Sequence, residues 1–290
     1  MAAISRLPTF FIVGAQKAGT TSLHAYLGQH PDVYVSPLKE PAYFMAEEIP
    51  ERYRMSWDTY VKLFSAAGDR AAVGEATAGY LWSPSAPANI AARLPHAKII
   101  VSLRNPVERA YSQYLHMLTH GATTRSLREQ VYASQSAQGE YFGYTWPFLE
   151  LGLYSLHLKR YLASFPREQL HICFFEELQS EPRALLARLF GFLGVAADFA
   201  PNLALRYNVP QVPRLPVVTR ALLRSPAWPY VRRLLPDAWR RRARPLLIRP
   251  RASLELSPPD RALLVDYYRD EVGELSRLLD RDLRGWLKLG

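Results

Sequence analysis

The stretch from residue 10 to residue 27 constrains the fold of this chain more than any other part of its sequence. An apolar run at residues 10–13 leads directly into a loop that is bounded by Gly14 and Gly19. An amphipathic segment then begins at Leu23, so the stretch predicts a strand, a tight turn and a helix. The amides of the first helical turn and the positive end of the helix dipole meet at such a turn. The pattern therefore indicates a binding site for a phosphate group.

The loop also carries side chains that suit an anion. Lys17 adds a full positive charge, and hydroxyl donors follow it at Thr20, Thr21 and Ser22. A Walker P-loop would place its lysine directly after the second glycine. Here Lys17 comes two residues before Gly19, a register that does not fit an ATPase. A strand-to-helix turn without a ligand is the alternative, but such a turn has no use for a lysine and three hydroxyls.

A second segment has the same organisation. Residues 97–103 are nearly continuous in apolar side chains, which is typical of a central parallel strand. Arg104 follows this strand directly, and a proline two residues later suits the first turn of a helix. Ligands of open α/β sheets bind beyond the carboxyl ends of the strands, where Arg104 is predicted to lie. The alternative is an ion pair of Arg104 or Arg109 with Glu108 at the end of the helix.

Together, the two segments resemble the sulfotransferases that use 3′-phosphoadenylyl sulfate (PAPS), of the glycosaminoglycan type. Residues 14–22 resemble their 5′-phosphosulfate loop, and residues 104–112 resemble their 3′-phosphate motif. The resemblance implies that Arg104 and Ser112 bind the ribose 3′-phosphate. It also implies that Lys17 is catalytic, because it would meet the charge that develops on the oxygen bridging sulfur and phosphorus. The residues implied at the 5′ end of the nucleotide are Lys17, Ala18, Gly19, Thr20, Thr21 and Ser22.

A third segment concerns the acceptor. Residues 39–44 resemble the K-E-x-x-F-F type segment of the same family, whose glutamate acts as the base, and this implies that Glu40 is the base here. Ala42 stands where the strongest version of the segment has a histidine, so assistance by that histidine is not expected. A surface ion pair between Lys39 and Glu40 is the alternative account. Tyr43 in this segment is a candidate contact for the acceptor.

Residues 74–80 resemble the family segment G-E-K-[ST]-x-x-Y, which lines the acceptor cleft. Glu75 and Tyr80 are therefore candidate acceptor contacts, and Glu75 is a second candidate base. Ala76 replaces the lysine, which argues against a straightforward heparan-like acceptor. No metal is expected, because a sulfuryl group carries less charge than a phosphoryl group. The seven histidines are also scattered apart from His116 and His120.

The order of apolar runs and helical patterns predicts an α/β fold with a P-loop-like parallel sheet flanked by helices. A basic segment rich in proline and arginine and a terminal helix follow this core. The predicted divisions are an α/β core at residues 1–205, the basic segment at residues 206–251 and a terminal helical segment packed on the core at residues 252–290. The resemblance thins out after about residue 195.

Charge is concentrated in the basic segment. The chain of 290 residues has a formal net charge of +10, and the basic segment alone holds twelve arginines and one acidic residue. In the family that this chain resembles, a loop near the C-terminal side closes over the 3′-phosphate and adenine with basic residues. By position and charge, the resemblance implies this role for Arg214 and Arg206. The segment could equally lie on an anionic membrane, hold an acidic acceptor, close as a lid or form a solvated surface loop. Its arginines are interleaved with tryptophans and leucine pairs, which favours some apolar contact.

The sequence therefore predicts a PAPS-dependent sulfotransferase whose acceptor is a small molecule, a glycan or a lipid-linked compound. The alternatives are a nucleoside-phosphate kinase and a nucleic-acid-binding protein. Nucleic acid is not expected, since the positive charge lies in one proline-broken segment without a recognisable binding motif. Cys173 is the single cysteine, in an apolar run that predicts a buried strand. We expect a bacterial, cytoplasmic protein without a membrane anchor, peripheral to the membrane if the basic segment binds there.

Overall fold

The structure is a computed structural model that describes residues 6–136, 147–204, 212–213, 225, 248–249 and 255–289. The described residues fall into two compact units. One lies within Met1–Asn105 and Leu153–Asn208, and the other lies within Pro106–Gly152 and Val209–Gly290. The division predicted from the sequence stays a prediction, because most of residues 206–251 lie outside the described part of the chain.

The first unit is built on a parallel sheet. Its five strands pair in the order β2-β3-β1-β4-β5, and every pairing is parallel. The arrangement confirms the predicted α/β fold with a P-loop-like parallel sheet. The strands are β1 (Phe10–Gly14), β2 (Val33–Val35), β3 (Ala72–Ala76), β4 (Lys98–Leu103) and β5 (Leu170–Phe174).

The described α-helices lie between the strands of the sheet and after the last strand. In chain order they are α1 (Thr20–Leu27), α2 (Trp57–Lys62), α3 (Ala86–Arg93), α4 (Pro106–Thr119), α5 (Leu127–Ser136), α6 (Tyr154–Ser164), α7 (Phe175–Ser180), α8 (Pro182–Leu193) and α9 (Pro258–Leu279). Short 3₁₀ helices lie at Tyr43–Glu48, Glu51–Tyr53, Glu150–Gly152, Arg167–Gln169 and Arg284–Leu287.

The apolar run at β1 forms the centre of the sheet because both of its faces are covered. Phe10 and Ile12 belong to a buried cluster with side chains of α1 and α8, such as Leu23 and Leu189. The alternate residue Phe11 points to the other face, where its ring meets Phe44 and Tyr80. A run of residues that are apolar without alternation is therefore explained by helices and rings on both sides.

The second unit is mainly helical. Helix α9 packs on α4 and α5, as expected for a helix with apolar residues at helical spacing. Arg109 is completely buried and donates hydrogen bonds to the carbonyl oxygen of Phe148 and to the hydroxyl of Tyr268. Glu108 forms an ion pair with Arg261, so Glu108 binds a residue of α9 that the sequence did not indicate. Val212–Pro213 and Ile248–Arg249 form a short antiparallel pair in this unit.

Several elements differ from the predicted ones. Tyr43–Glu48 forms a 3₁₀ helix and Leu127–Ser136 forms α5, and neither helix was predicted from the sequence. The Glu177 carboxylate accepts a hydrogen bond of 3.3 Å from the Phe174 amide at the point where β5 ends and α7 begins. Cys173 is buried on β5 with 1% of its surface exposed, which confirms the prediction made for it.

Candidate active site

The loop after β1 turns back on itself and is fixed by strand β4. The Ala15 amide donates to the carbonyl oxygen of Ser102 over 2.6 Å, and the Ser102 hydroxyl donates to the carbonyl oxygen of Ala18 over 2.6 Å. Lys17 and Gly19 have left-handed backbone angles, with φ of +66° and +85°. Hydrogen bonds to Ser102 therefore hold the loop at the carboxyl end of the sheet, where the sequence predicted it.

The first turn of α1 presents its amides at the end of this loop. The hydrogen bond that starts the helix runs from the Leu23 amide to the Gly19 carbonyl oxygen over 3.0 Å. The amides of residues 20–22 precede that bond and point out of the helix start, as an anion site requires. A Cβ on Gly19 would lie 2.8 Å from Leu178 Cδ2 and 2.9 Å from Phe175 Cδ2. The packing of α7 against the loop therefore requires a glycine.

Arg104 lies beside the loop. Its Nη1 donates to the carbonyl oxygen of Lys17 over 3.1 Å, and its guanidinium carbon lies 4.7 Å from the centre of the Phe175 ring. The hydroxyl of Tyr154 donates to the Arg104 carbonyl oxygen over 2.9 Å. The structure thus brings together Lys17 and Arg104, one residue from each predicted phosphate motif.

Three further residues were predicted at the nucleotide. Ser112 is half-buried on α4, in the second unit. Arg206 and Arg214 lie outside the described residues. Contact of these three residues with the nucleotide stays a prediction.

Glu40 lies at the same edge of the sheet as the loop. Its amide donates to the carbonyl oxygen of Ala76 over 2.9 Å, and its Oε2 accepts a hydrogen bond of 2.8 Å from the Ala78 amide. Its Oε1 forms a close ion pair with Lys39 Nζ, so the contact given above as the alternative account is present. The ion pair leaves 43% of the Glu40 side chain exposed. The Glu40 side chain is thus both anchored and partly accessible, as the side chain of a base must be.

Glu75 is completely buried on β3, where three hydroxyl groups donate to its carboxylate. Tyr60 and Tyr80 donate to Oε1 over 2.9 Å each, and Thr77 donates to Oε2 over 2.6 Å. Burial raises the pKa of Glu75 to about 7, against the effect of these hydrogen bonds. Burial first, and the Glu75 charge second, raise the pKa of Tyr60 and Tyr80 well above the ordinary value. Tyr80, like Glu75, has 0% of its surface exposed, so contact of either side chain with an acceptor stays a prediction.

Tyr43 is half-buried in a group of aromatic rings. It stacks on Tyr60 with ring centres 4.8 Å apart, and the ring centre of Trp57 lies 5.3 Å away. The exposed Arg93 guanidinium lies 4.6 Å from the Trp57 ring centre. Sequence reasoning missed Tyr60, Trp57 and Arg93, because no motif joins them. Thr77 occupies the [ST] position of the segment at residues 74–80, which was a signal for it.

Neither a metal site nor a membrane span is found where the structure describes the chain. Within the described ranges, no group of three or more His, Cys, Asp or Glu side chains could hold a metal ion. None of the helices described above combines the length and the apolar content needed to cross a membrane.

Comparison with known proteins gives consistent matches. The family model described as "Sulfotransferase domain" matches residues 7–206. A solved sulfotransferase from Alicyclobacillus acidocaldarius is 31% identical, with a TM-score of 0.77, and the alignment covers 98% of this chain and 100% of that one.

Longer curated relatives are also similar. The human bifunctional heparan sulfate N-deacetylase/N-sulfotransferase 2 is 35% identical over 212 residues, which are 70% of this chain and 24% of that protein. The human bifunctional heparan sulfate N-deacetylase/N-sulfotransferase 1 is 29% identical over 299 residues, which cover 98% of this chain and 31% of that protein. The chain thus spans about a quarter to a third of the length of these two relatives.

Proposed function

The chain belongs to the sulfotransferase domain family, and we propose that Glu40 is the base with which it sulfates a saccharide or other small acceptor. Membership of the family confirms the predicted enzyme class, a sulfotransferase with PAPS as its co-substrate. It favours sulfuryl transfer over the kinase and the nucleic-acid-binding alternatives. The acceptor and the roles of individual residues are what we propose.

In the proposed reaction, a hydroxyl or amine of the acceptor attacks the sulfur in line with the oxygen that joins it to the 5′-phosphate. The new S–O or S–N bond forms as that S–O bond breaks, and the bonding electron pair leaves with PAP, the desulfated nucleotide. The acceptor's proton goes to Glu40. Lys17 and the amides of residues 20–22 stabilise the charge on the leaving oxygen. The residues proposed at the 3′-phosphate are Arg104, Ser112, Arg206 and Arg214.

The position of Ala78 gives the most direct support for Glu40 as the base. The Ala78 amide holds the Glu40 carboxylate over 2.8 Å, and the Ala78 carbonyl oxygen lies 3.2 Å from the position of a Cβ on Gly14. Gly14 is the last residue of β1, from which the Lys17 loop departs. Glu40, the proposed base, is therefore anchored to Ala78, which packs against the start of the Lys17 loop. Because the Glu40 side chain is partly exposed, it can release the captured proton to solvent.

A saccharide is the acceptor that we favour. The relatives named above are heparan sulfate enzymes, and Tyr43 and Trp57 are half-buried aromatic side chains, a type that sugar rings stack on. Tyr43 follows Glu40 by three residues, which places this surface near the base. Ala76, in place of the family's lysine, favours a less anionic saccharide than heparan. Glu75 and Tyr80 support this side of the site from beneath the surface.

The test compares Glu40→Gln with Glu51→Gln, which changes an exposed glutamate on a 3₁₀ helix. Transfer of labelled sulfate from PAPS is measured with glucosamine oligosaccharides whose amines are free or acetylated, which separates amine from hydroxyl acceptors. Loss of a general base lowers kcat by roughly 10²–10⁴-fold, so we expect that loss in Glu40→Gln with PAP affinity retained. Glu51→Gln should behave as the wild type. Transfer by Glu40→Gln at the wild-type rate would assign the base elsewhere.

We further propose a cytoplasmic protein whose basic segment, residues 206–251, meets an anionic membrane surface. Twelve arginines with one acidic residue, interleaved with tryptophans and leucine pairs, support this contact. It would bring the enzyme to a lipid-linked saccharide. Cosedimentation with anionic and neutral vesicles at low salt is the test. Equal retention by both vesicle types, or by neither, would remove the membrane contact from the proposal.

A further inference from the structure

Residues 40–44, which we call the Glu40 segment, have an unusual backbone. Glu40 and Ala42 are both in the left-handed region, with φ of +60° and +56°, although neither is a glycine. Residues with a Cβ adopt such angles only where the surrounding structure imposes them. The groups that hold this segment therefore determine where the Glu40 carboxylate lies.

Two side-chain hydroxyls help to hold the segment through its amides. The Ala42 amide donates to Thr77 Oγ1 over 3.4 Å, and the Phe44 amide donates to the Tyr80 hydroxyl over 3.2 Å. These amides lie on either side of Tyr43, and Ala42 directly follows Glu40 and Pro41 in the chain. Thr77 and Tyr80 lie in the stretch after β3, so their hydroxyls join this stretch to the Glu40 segment.

Both hydroxyls give their only proton to the same carboxylate. Thr77 donates to Glu75 Oε2 over 2.6 Å, and Tyr80 donates to Glu75 Oε1 over 2.9 Å. A hydroxyl with its proton committed to Glu75 turns its lone pairs outward, where the amides of Ala42 and Phe44 can use them. Chains of this kind strengthen each bond when every member is satisfied and buried.

We propose that Glu75 is a positioning residue, whose carboxylate orients the Thr77 and Tyr80 hydroxyls so that they hold the Glu40 segment in its working conformation. The proposal rests on the proposed role of Glu40 as the base. It gives Glu75 a function different from that of acceptor contact or second base. The side chain acts from beneath the surface and needs no contact with the substrate.

Tyr60 offers a matched control. Its hydroxyl donates to the same Oε1 of Glu75 over the same 2.9 Å as Tyr80. Among the described hydrogen bonds, none joins the Tyr60 hydroxyl to the Glu40 segment. Tyr60→Phe and Tyr80→Phe therefore remove equivalent donors from Glu75, but only Tyr80→Phe removes an acceptor from the segment. Each change keeps the ring in place.

The experiment uses the full chain and the variants Tyr80→Phe, Tyr60→Phe, Thr77→Val and Thr77→Ser. Amide hydrogen exchange is followed at Ala42 and Phe44. The kcat and the KM for PAPS are measured with the glucosamine oligosaccharide that accepts sulfate in the transfer assay described above. We expect Thr77→Val and Tyr80→Phe to speed exchange and lower kcat, each by about tenfold or more, because a buried bond is left unmade. The KM for PAPS should stay unchanged. Thr77→Ser, which restores the hydroxyl, should remain close to the wild type, and Tyr60→Phe should lose clearly less kcat than Tyr80→Phe.

Equal losses of kcat in Tyr60→Phe and Tyr80→Phe would overturn the proposal, because they would indicate a general loss of packing. Faster exchange with an unchanged kcat would also overturn it, since the segment would then be held without consequence for the reaction. If Thr77→Val does not fold, the two phenylalanine variants decide. Amide exchange at Ala42 and Phe44 does not depend on whether Glu40 is the base. A wild-type kcat in Glu40→Gln would therefore refute the proposed base without refuting the proposed support of residues 40–44 by Glu75.

Discussion

Arg104 donates a hydrogen bond from Nη1 to the carbonyl oxygen of Lys17 over 3.1 Å, although 87 residues separate the two in the chain. Lys17 has a left-handed backbone, and the guanidinium fixes the direction of its carbonyl group. Tyr154 in turn holds the carbonyl oxygen of Arg104. The arginine proposed to bind one end of the nucleotide therefore also supports the loop proposed to bind the other end.

This double role predicts different effects for Arg104→Ala and Ser112→Ala. Loss of Arg104 should weaken the binding of PAP and also of 5′-AMP, which lacks the 3′-phosphate, because the Lys17 loop loses a support. Loss of a charge-assisted hydrogen bond lowers affinity by about tenfold to a hundredfold. Ser112→Ala should weaken PAP binding alone. Calorimetric titration of both variants with both nucleotides measures the difference.

Unchanged affinity of Arg104→Ala for 5′-AMP, with PAP binding lost, would show that Arg104 serves only the 3′-phosphate. Arg104→Lys is a useful third variant, because it keeps the charge. Lysine lacks the planar fork of arginine, so it should recover PAP binding only in part.

Gly19 and Gly191 form a matched pair for a second prediction. An alanine at position 19 would need a left-handed backbone and would bring its Cβ to 2.8 Å from Leu178 Cδ2. The left-handed conformation alone costs about 1–2 kcal/mol. At Gly191, within helix α8, a Cβ would meet no atom within 4 Å. Alanine favours a helix interior over glycine by roughly 0.5–1 kcal/mol.

We therefore expect Gly19→Ala to lower the free energy of unfolding by more than about 1 kcal/mol and Gly191→Ala to leave it unchanged or raise it. Urea unfolding of the two variants beside the wild type measures both values. Gly19→Ala should also weaken PAP binding, because the loop and the helix start move together. A Gly19→Ala protein with wild-type stability and PAP affinity would mean that α7 does not constrain the loop as described.

The buried Glu75 predicts a dependence of stability on pH. Burial raises its pKa from 4.5 to about 7, so between these values the folded state holds a proton that the unfolded chain has released. Stability from this group is fully present below pH 4.5 and is lost as the pH rises to about 7. The loss is on the order of 3 kcal/mol, since one pKa unit corresponds to about 1.4 kcal/mol.

Glu75→Gln removes this titration. The free energy of unfolding of the variant, minus that of the wild type, should therefore become more positive between pH 4.5 and pH 8. Urea unfolding at several pH values measures the difference, with Glu51→Gln as the exposed control. A difference that does not change with pH would mean that Glu75 titrates near its ordinary value in the folded chain.

The sheet and the donor loop could be predicted because they depend on residues adjacent in sequence. The apolar run at residues 10–13 predicts a buried strand wherever it lies, and Gly14, Lys17 and Gly19 follow it within one turn. The caps of two helices were equally local. Ser56 accepts from the Thr59 amide and Ser257 accepts from the Asp260 amide, as serine does before a helix.

The support of Glu40 could not be predicted in this way. Ala42 meets Thr77 across 35 positions of sequence, and Tyr60 meets Glu75 across 15. Neither pair is marked by spacing or composition, because each contact depends on how the strand β3 and the segment after β2 come together. The left-handed angles of Glu40 and Ala42 are also unmarked, since glycine is absent there. Such local departures from sequence preference are expected at functional sites.

Cys173 provides a final prediction, because the reactivity of its thiol can show whether a nucleotide binds at the Lys17 loop. It lies opposite Ser102 in the pairing of β4 with β5, and the Ser102 hydroxyl holds the carbonyl oxygen of Ala18 in the donor loop. Burial raises the pKa of the thiol to about 12, so almost no thiolate is present at pH 8. The native protein should therefore not react with a disulfide reagent at pH 8, and the unfolded protein should react with one equivalent.

A ligand that binds only the folded state raises the free energy of unfolding, by about 2.7 kcal/mol at a concentration of 100 Kd. In mild urea, where the thiol reacts through unfolded molecules, PAP should slow the reaction by about a hundredfold at that concentration. Lys17→Ala should lose most of this protection, while Gly191→Ala should keep it. Protection by PAP that survives in Lys17→Ala would place the nucleotide away from the Lys17 loop, and rapid reaction of the native thiol would contradict the burial of Cys173.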